Sequence, residues 1–326
     1  VTIGGGGLDA YTPSRSATLE DDVNPRTLFI ALCFSLLSLS ARAEPKFVQD
    51  PIDGKILTFQ LLDVGQGDAI YIETPDGKRM LIDAGPQGAK NEILEFLAAK
   101  GIKKLDLIMV THGHADHVGK LNKVLKAVEV GAVVSSGFFH PTGLNEDILA
   151  TMKEKSIPMK VVAAGDRFKL GDSVEFRVIY PEKDAALSVI SVNDTSLLVK
   201  MTFGEVSFVL TGDAEHFTEE IVLKTHAKEL DGDILKVGHH GSETASSNPF
   251  LDAVTPKVAI ISCGENNKFS HPHKSALDRF SERGIRMFRT DLDGTLTITT
   301  DGKKVRIETG KKASVSTLFL FVGKAA

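Results

Sequence analysis

The chain has 326 residues, enough for one large domain or two of ordinary size. Apolar residues make up 42% and charged residues 25%, the proportions of a globular protein that buries a sizeable core. A formal net charge of −5 excludes a sequence-wide basic surface for nucleic acid or anionic membrane, though not a local basic groove.

Residues 1–25 lack apolar periodicity and read as disordered, or as the product of an upstream start site. Residues 26–43 follow the pattern of a secretory signal peptide: Arg26 as positive flank, an apolar run over 28–39, and Ala41-Arg42-Ala43 as a small-x-small cleavage site. The run is shorter than the ~20 residues of a membrane span, and an uncleaved anchor is the alternative reading. Cleavage after Ala43 predicts an exported protein, in a bacterial periplasm or outside the cell, with no stable membrane span. Cys33 would leave with the signal, so Cys263 would have no intrachain partner.

Residues 44–54 read as a linker and 55–326 as one domain. Strands are expected at 56–64 and, around a Pro75-Asp76-Gly77 turn, over 68–85. A helix follows over 89–101, with Ile93, Leu94, Phe96 and Leu97 on its apolar face and Gly101 at its end. A buried strand at 104–112 runs into a helix over 116–128 that places Val118, Leu121, Leu125 and Val128 together. Further strands are expected at 129–137, 173–180, 196–204, 205–212, 233–238 and 257–262, with a hairpin over 295–309. Helices are expected near 145–155, 215–224, 248–254 and 274–283. Strand pairs with interspersed helices suggest a sheet-on-sheet core with helices outside, rather than a doubly wound parallel sheet. The apolar tail at 313–326 is open between a last strand and a packing segment.

The chemistry concentrates at strand ends. His112 and His114 lie two residues apart and share a side if the backbone stays extended. Asp116 and His117 follow at the helix start. A tight strand-to-helix turn can aim all four side chains at one small volume, and imidazole with carboxylate suits Zn²⁺, Mn²⁺ or Fe²⁺. Three later strands also end in such residues: Asp213 after Thr211-Gly212, the pair His239-His240, and His271 with His273. Each cluster alone has a bland reading as cap or loop. Together they point to a metal centre.

One motif is set aside. "DLDGTLT", residues 291–297, spells an Asp-x-Asp-Gly-Thr phosphatase signature. Too little chain follows for the ~100-residue domain such a motif would open. A turn at Asp293-Gly294 leading into the last hairpin is expected instead.

His112-Gly113-His114-Ala115-Asp116-His117, with Thr211-Gly212-Asp213 downstream, resembles the metallo-β-lactamase-fold hydrolase superfamily. Residues 59–85, 197–215, 235–247 and 271–280 are similar to the C-terminal hydrolase domain of ComEC/Rec2-type competence proteins, a likeness spanning roughly 55–308. The resemblance implies an α+β fold, a four-layer αββα sandwich, with the site at one edge of the sheets. It implies that His112 and His114 hold one metal, that Asp116 and His117 hold a second, and that Asp213 bridges both. His240 and His271 are further ligand candidates, and Asp116 and His240 carry the catalytic expectation. His239, Ser242, Thr244, Asn193 and His273 are expected to contact substrate, with Asp63 and Asp83 orienting ligands from behind.

The sequence departs from that pattern in one respect. The superfamily usually places another histidine between the first cluster and the bridging aspartate. Here that interval holds only His140, and Asn193 and Ser196 occupy the matching segment. One or two divalent ions, Zn²⁺ or Mn²⁺, are therefore expected. Metal-activated hydroxide would attack a phosphodiester in a small molecule or nucleic acid. An acyl bond (lactone, thioester or β-lactam) and a non-catalytic metal-binding envelope protein are the alternatives.

Overall fold

The computed structural model describes residues 44–88, 92–186 and 191–311. The segment read as a signal peptide, the residues before it and the tail at 313–326 lie outside them. In chain order, the first half supplies β1 (Lys46–Phe47), β2 (Leu57–Leu61), β3 (Ile70–Glu73), β4 (Arg79–Ile82), β5 (Lys104–Met109), β6 (Glu129–Ser135) and β7 (Met159–Val161). Then come β8 (Arg167–Leu170), β9 (Val174–Tyr180), β10 (Leu198–Phe203), β11 (Val206–Leu210), β12 (Ile234–Lys236), β13 (Val258–Ile261) and β14 (Arg286–Arg289). These seven strands form one sheet in the order β14-β13-β12-β11-β10-β9-β8. The last hairpin, β15 (Leu296–Thr300) and β16 (Lys304–Thr309), returns to the first sheet, which runs β1-β16-β15-β2-β3-β4-β5-β6-β7.

The sheets pack face to face because their facing strands alternate in the right phase. Along β2, Leu57, Phe59 and Leu61 are buried while Thr58 and Gln60 are half-buried. Phe59 stacks on Phe208 of β11 across the interface, ring centroids 4.8 Å apart. β11 reads Val-Ser-Phe-Val-Leu and is buried throughout, as a strand covered on both faces must be.

Helices cover the outer faces. On the first sheet, α1 (Glu92–Ala99), α2 (Ala115–Val118), α3 (Leu121–Ala127) and α4 (Gly143–Glu154) contribute to a second core that includes Ile93, Leu97, Leu121, Val124 and Ile148. On the second sheet, α5 (His216–Thr225), α6 (Asn248–Val254) and α7 (Lys274–Glu282) bury Val222, Phe250, Leu251 and Phe280 against Leu235 and Ile261. The result is the expected α+β, four-layer αββα sandwich. Caps fix the helix starts: the Thr142 hydroxyl accepts from Asn145 N, and the Ser247 hydroxyl from Phe250 N. Among the described residues no helix is long and apolar enough to cross a membrane.

Several expectations need revision. The single helix over 116–128 is two, α2 and α3, broken at Gly119-Lys120. Gly119 lies so close to the backbone of Pro86 and Gln87 that no Cβ fits there. The segment read as a linker carries β1, paired in parallel with β16 at Lys46↔Lys304. Short β7, β8 and β14 were not anticipated; β7 is exposed throughout and offers no apolar alternation. The expected turn at Asp293-Gly294 is a short helix, α8 (Thr290–Asp293), ending at Gly294 with φ 71°. Within it Asp291 pairs with Arg289 at 2.6 Å, and its carboxylate lies 3.2 Å from Cys263 Sγ.

Strand direction decides where a site can form. The centre of the first sheet is antiparallel, but β4, β5, β6 and β7 run parallel, as do β11, β12, β13 and β14 in the second. The loops leaving the C-terminal ends of β4, β5, β11, β12 and β13 meet at one edge of the sandwich.

Candidate metal centre

Asp83, just past β4, sits at φ 56° and is fully buried. Its carboxylate accepts hydrogen bonds from Thr111 N at 2.9 Å and from the Thr111 hydroxyl at 2.6 Å, tying β4 to the end of β5. The same carboxylate lies 2.7 Å from His117 Nδ1. That contact turns His117 so that Nε2 points to Asp213 Oδ2, 3.2 Å away, without a hydrogen-bond partner. His112, also buried, places Nε2 3.1 Å from His114 Nδ1 and 3.9 Å from Asp213 Oδ2.

The second sheet delivers the rest. Asp213 follows β11 and is anchored by its backbone N–H, which donates to the Ser196 hydroxyl at 3.0 Å. Its Oδ1 is buried without a partner. His240 follows β12 in a tight turn where it takes φ 54°. The Ser262 carbonyl, 3.0 Å from Nδ1, fixes its ring. Nε2 then lies 3.2 Å from Asp116 Oδ2 and 3.4 Å from Asp213 Oδ2.

Asp116, His117, Asp213 and His240 thus offer two imidazole nitrogens and two carboxylate oxygens, all within 4.8 Å of one another. Two buried polar atoms with no partner, His117 Nε2 and Asp213 Oδ1, belong to this group. A buried polar atom without a partner is costly unless something else satisfies it. The donor set suits a borderline divalent cation such as Zn²⁺ or Mn²⁺. The residues therefore fit a metal ion.

Electrostatics point the same way. Burial opposes charge on His117 and His240. The Asp213 carboxylate, helped by Asp83 at the first and Asp116 at the second, overcomes it and holds both well above the usual histidine range. Asp213 is held well below the carboxylate range by the same imidazoles, against burial. Two protons on histidine stand where a divalent cation would supply the charge. Burial instead pushes His112 and His114 down, leaving them neutral.

The remaining candidates divide. His239 Nδ1 lies 2.8 Å from Glu215 Oε1, and its Nε2 is 3.4 Å from Asn193 Nδ2. Thr244 donates its hydroxyl to the same Glu215 oxygen at 2.7 Å, and Ser242 lies 2.9 Å from Thr244. Asn193, in a 3₁₀ turn over Asn193–Thr195, lies beside His239 in the segment where the superfamily's extra histidine was expected. His140 is exposed. His271 is nearly buried, its ring centroid 5.2 Å from that of His239 and 6.3 Å from that of His240. Burial and the neighbouring histidines push it down to about 4. His273 is engaged elsewhere: Glu243 N donates to Nδ1 at 2.9 Å, and the Phe269 carbonyl lies 3.2 Å from Nε2. Asp63 is not brought to the histidines. It lies 3.6 Å from Lys311 and lines a cavity of about 680 Å³ with Gln66, Glu265 and Asp291.

Sequence reasoning missed the layer behind His240. Asp68 is buried, with Oδ1 3.5 Å from His240 Nδ1 and Oδ2 2.7 Å from the ammonium of Lys236. Lys236 is itself only 1% exposed. Burial opposes the Asp68 charge, but Lys236, His240 and His117 outweigh it and bring the carboxyl down to about 2. A lysine inside the apolar run Ile-Leu-Lys-Val was the available signal, since a buried ammonium requires a partner. Glu215 behind His239 was missed as well.

Residues 62–265 match the family model of the metallo-beta-lactamase superfamily, and the chain belongs to that superfamily. Within it, the chain is similar to competence and recombination proteins. It is 35% identical to ComE operon protein 3 of Bacillus subtilis, over 72% of this chain and 32% of that one. It is 30% identical to Recombination protein 2 of Haemophilus influenzae, over 82% of this chain and 31% of the other. Competence protein ComA of Neisseria gonorrhoeae shares 29% identity over 72% of this chain and 31% of its own length. The chain thus spans about a third of these relatives.

Proposed function

We propose that the chain is an exported, metal-dependent hydrolase of phosphodiester bonds, with nucleic acid or a nucleotide-like small molecule as substrate. The observation that carries this reading is the four-donor cluster of Asp116, His117, Asp213 and His240 at an edge built from strand ends. The names of the relatives, which refer to competence and recombination, favour a nucleic-acid phosphodiester over an acyl bond.

Asp116, His117, Asp213 and His240 would hold the ion, with His112 and His114 beside them as candidates for a second position. When bound, a divalent cation there supplies Lewis acidity to a phosphoryl oxygen and lowers the pKa of water. The chain's own groups supply the rest. The Asp116 side chain is 31% exposed, while those of His240 and Asp213 are at most 2% exposed, so Asp116 faces the incoming substrate and can take a proton from water. In this reading His239, held at Nδ1 by Glu215, would exchange its 3.4 Å contact with Asn193 for the leaving oxygen and return a proton from Nε2. Thr244 and Ser242 brace Glu215, and Asn193 holds the other side of the His239 ring.

The test is hydrolysis of bis-p-nitrophenyl phosphate by the purified chain without metal, with Zn²⁺ and with Mn²⁺, beside Asp213→Asn. Metal-dependent turnover that disappears in the variant is expected. Bound metal with no turnover under any condition would overturn the reaction assigned here.

A further inference from the structure

The loop that leaves β13 carries a feature the hydrolytic centre does not use. Phe269 is 49% exposed, although it sits in a firmly built loop. Asn267 pins that loop: its amide donates to the Gly264 carbonyl at 2.9 Å and to the His271 carbonyl at 2.6 Å. Its side-chain oxygen accepts from Phe269 N at 3.1 Å and from His271 N at 3.0 Å. His273 adds a contact to the Phe269 carbonyl at 3.2 Å. The aromatic ring is thus held out to solvent by a fixed backbone.

Its position links it to the metal centre. The Phe269 ring stacks on His271, centroids 5.7 Å apart and planes 23° apart. His271 lies 5.2 Å from His239, and His239 lies 6.1 Å from His240. Lys268 Nζ sits over the Phe269 ring, 4.9 Å from its centre, on an exposed side chain. An exposed flat ring next to an exposed ammonium is a combination that holds single-stranded nucleic acid: the ring takes a base face and the cation a phosphate.

We propose that Phe269 and Lys268 form a nucleotide subsite beside the metal centre, the ring stacking on the base next to the scissile phosphate and the ammonium pairing with the adjoining phosphate. The proposal rests on the phosphodiester reading and narrows it, from any phosphodiester to one flanked by a nucleobase in a single strand. An incoming base displaces the Lys268 ammonium from the ring, and the flexible stem keeps that ammonium within reach of the backbone.

Binding and turnover separate this subsite from the reaction. Fluorescence anisotropy of a labelled thymidine octanucleotide, titrated with the full chain, reads binding apart from turnover, and the variants isolate the subsite. Phe269→Ala weakens binding about tenfold, Phe269→Tyr retains it, and Lys268→Ala weakens it and flattens its salt dependence. Oligonucleotide binding that is absent, or equal in Phe269→Ala and the parent chain, overturns the proposal. In parallel, the kcat/KM ratio for thymidine 5′-p-nitrophenyl phosphate over methyl p-nitrophenyl phosphate falls about tenfold in Phe269→Ala, because the two esters share a leaving group and differ in the base. Binding as expected with neither ester hydrolysed leaves the subsite standing and removes the phosphodiesterase reaction.

Discussion

Asp213 meets two histidines whose pKa it holds well above the usual histidine range, His117 at 3.2 Å and His240 at 3.4 Å. A divalent cation must replace the protons they hold. Metal uptake is therefore predicted to release about two protons per ion near neutral pH, measurable by calorimetry in buffers of different ionisation enthalpy. Release of none would contradict the protonated state described above. Lys236 supports the same centre from behind. Lys236→Met removes the ammonium 2.7 Å from the buried Asp68 carboxylate and leaves it only the histidines, so a loss of about 3 kcal/mol in urea unfolding is expected. The double variant with Asp68→Asn should recover much of that loss. A double variant as unstable as Lys236→Met would show that the cost comes from packing rather than charge.

At the scale of elements, the centre depends on close backbone approaches that only glycine allows. Gly67 takes φ 142°, and a Cβ there would collide with the Asp116 carbonyl oxygen. The neighbouring Asp68 N–H donates to that same oxygen at 3.2 Å, so this turn sets the height of the loop bearing Asp116. Gly67→Ala is predicted to cost about 1–3 kcal/mol and to lower metal content after dialysis. Gly54→Ala, where nothing lies within 4 Å, is the control for backbone strain alone, since it too has positive φ. Equal metal content in the two variants would separate this turn from the metal centre. The break at Gly119 works similarly, letting α2 present Asp116 and His117 while α3 turns Leu121, Val124 and Leu125 into the outer core.

For the whole molecule, the centre adds to the contacts that join the two sheets at that edge, among them Asp68 with Lys236 at 2.7 Å and the Ser262 hydroxyl donating to the Gly67 carbonyl at 2.6 Å. A cation held by Asp116 and His117 on one side and Asp213 and His240 on the other staples the sandwich. Free Zn²⁺ at a hundredfold its dissociation constant should add about 2.7 kcal/mol to unfolding, seen as a raised Tm that a chelator reverses. The pH dependence follows from the shifts. His117 and His240 are raised, so their stabilisation of the metal-free fold is complete below about pH 6.5 and is lost as pH rises through their folded values. Asp68 is lowered, so its contribution is complete above about pH 4 and is lost as pH falls through about 2. Thermal melts of metal-free protein should therefore show Tm falling on the alkaline side of neutrality, and bound metal should remove that slope. A Tm that rises with pH without metal would contradict the sign.

The sequence by itself determined most of the elements and the residue types of the site. The 2-residue alternation of β2 and the continuous apolar run of β11 are local patterns fixed by which faces are covered. His112-x-His114-x-Asp116-His117 is local as well, so the first half of the cluster was legible as a string. Only the tertiary structure decided which distant groups complete it. Asp213 and His240 lie more than 90 residues from His112, and their arrival depends on the parallel direction of β11 and β12, which no local pattern encodes. The pairing of Asp68 with Lys236 is hidden for the same reason, since each reads as an isolated polar residue until two strands bring a carboxylate to an ammonium inside the core. Within the segment read as a linker, Lys46 and Phe47 form β1 only because β16 offers a free edge. The position of Asp63, 3.6 Å from Lys311, was likewise settled by packing.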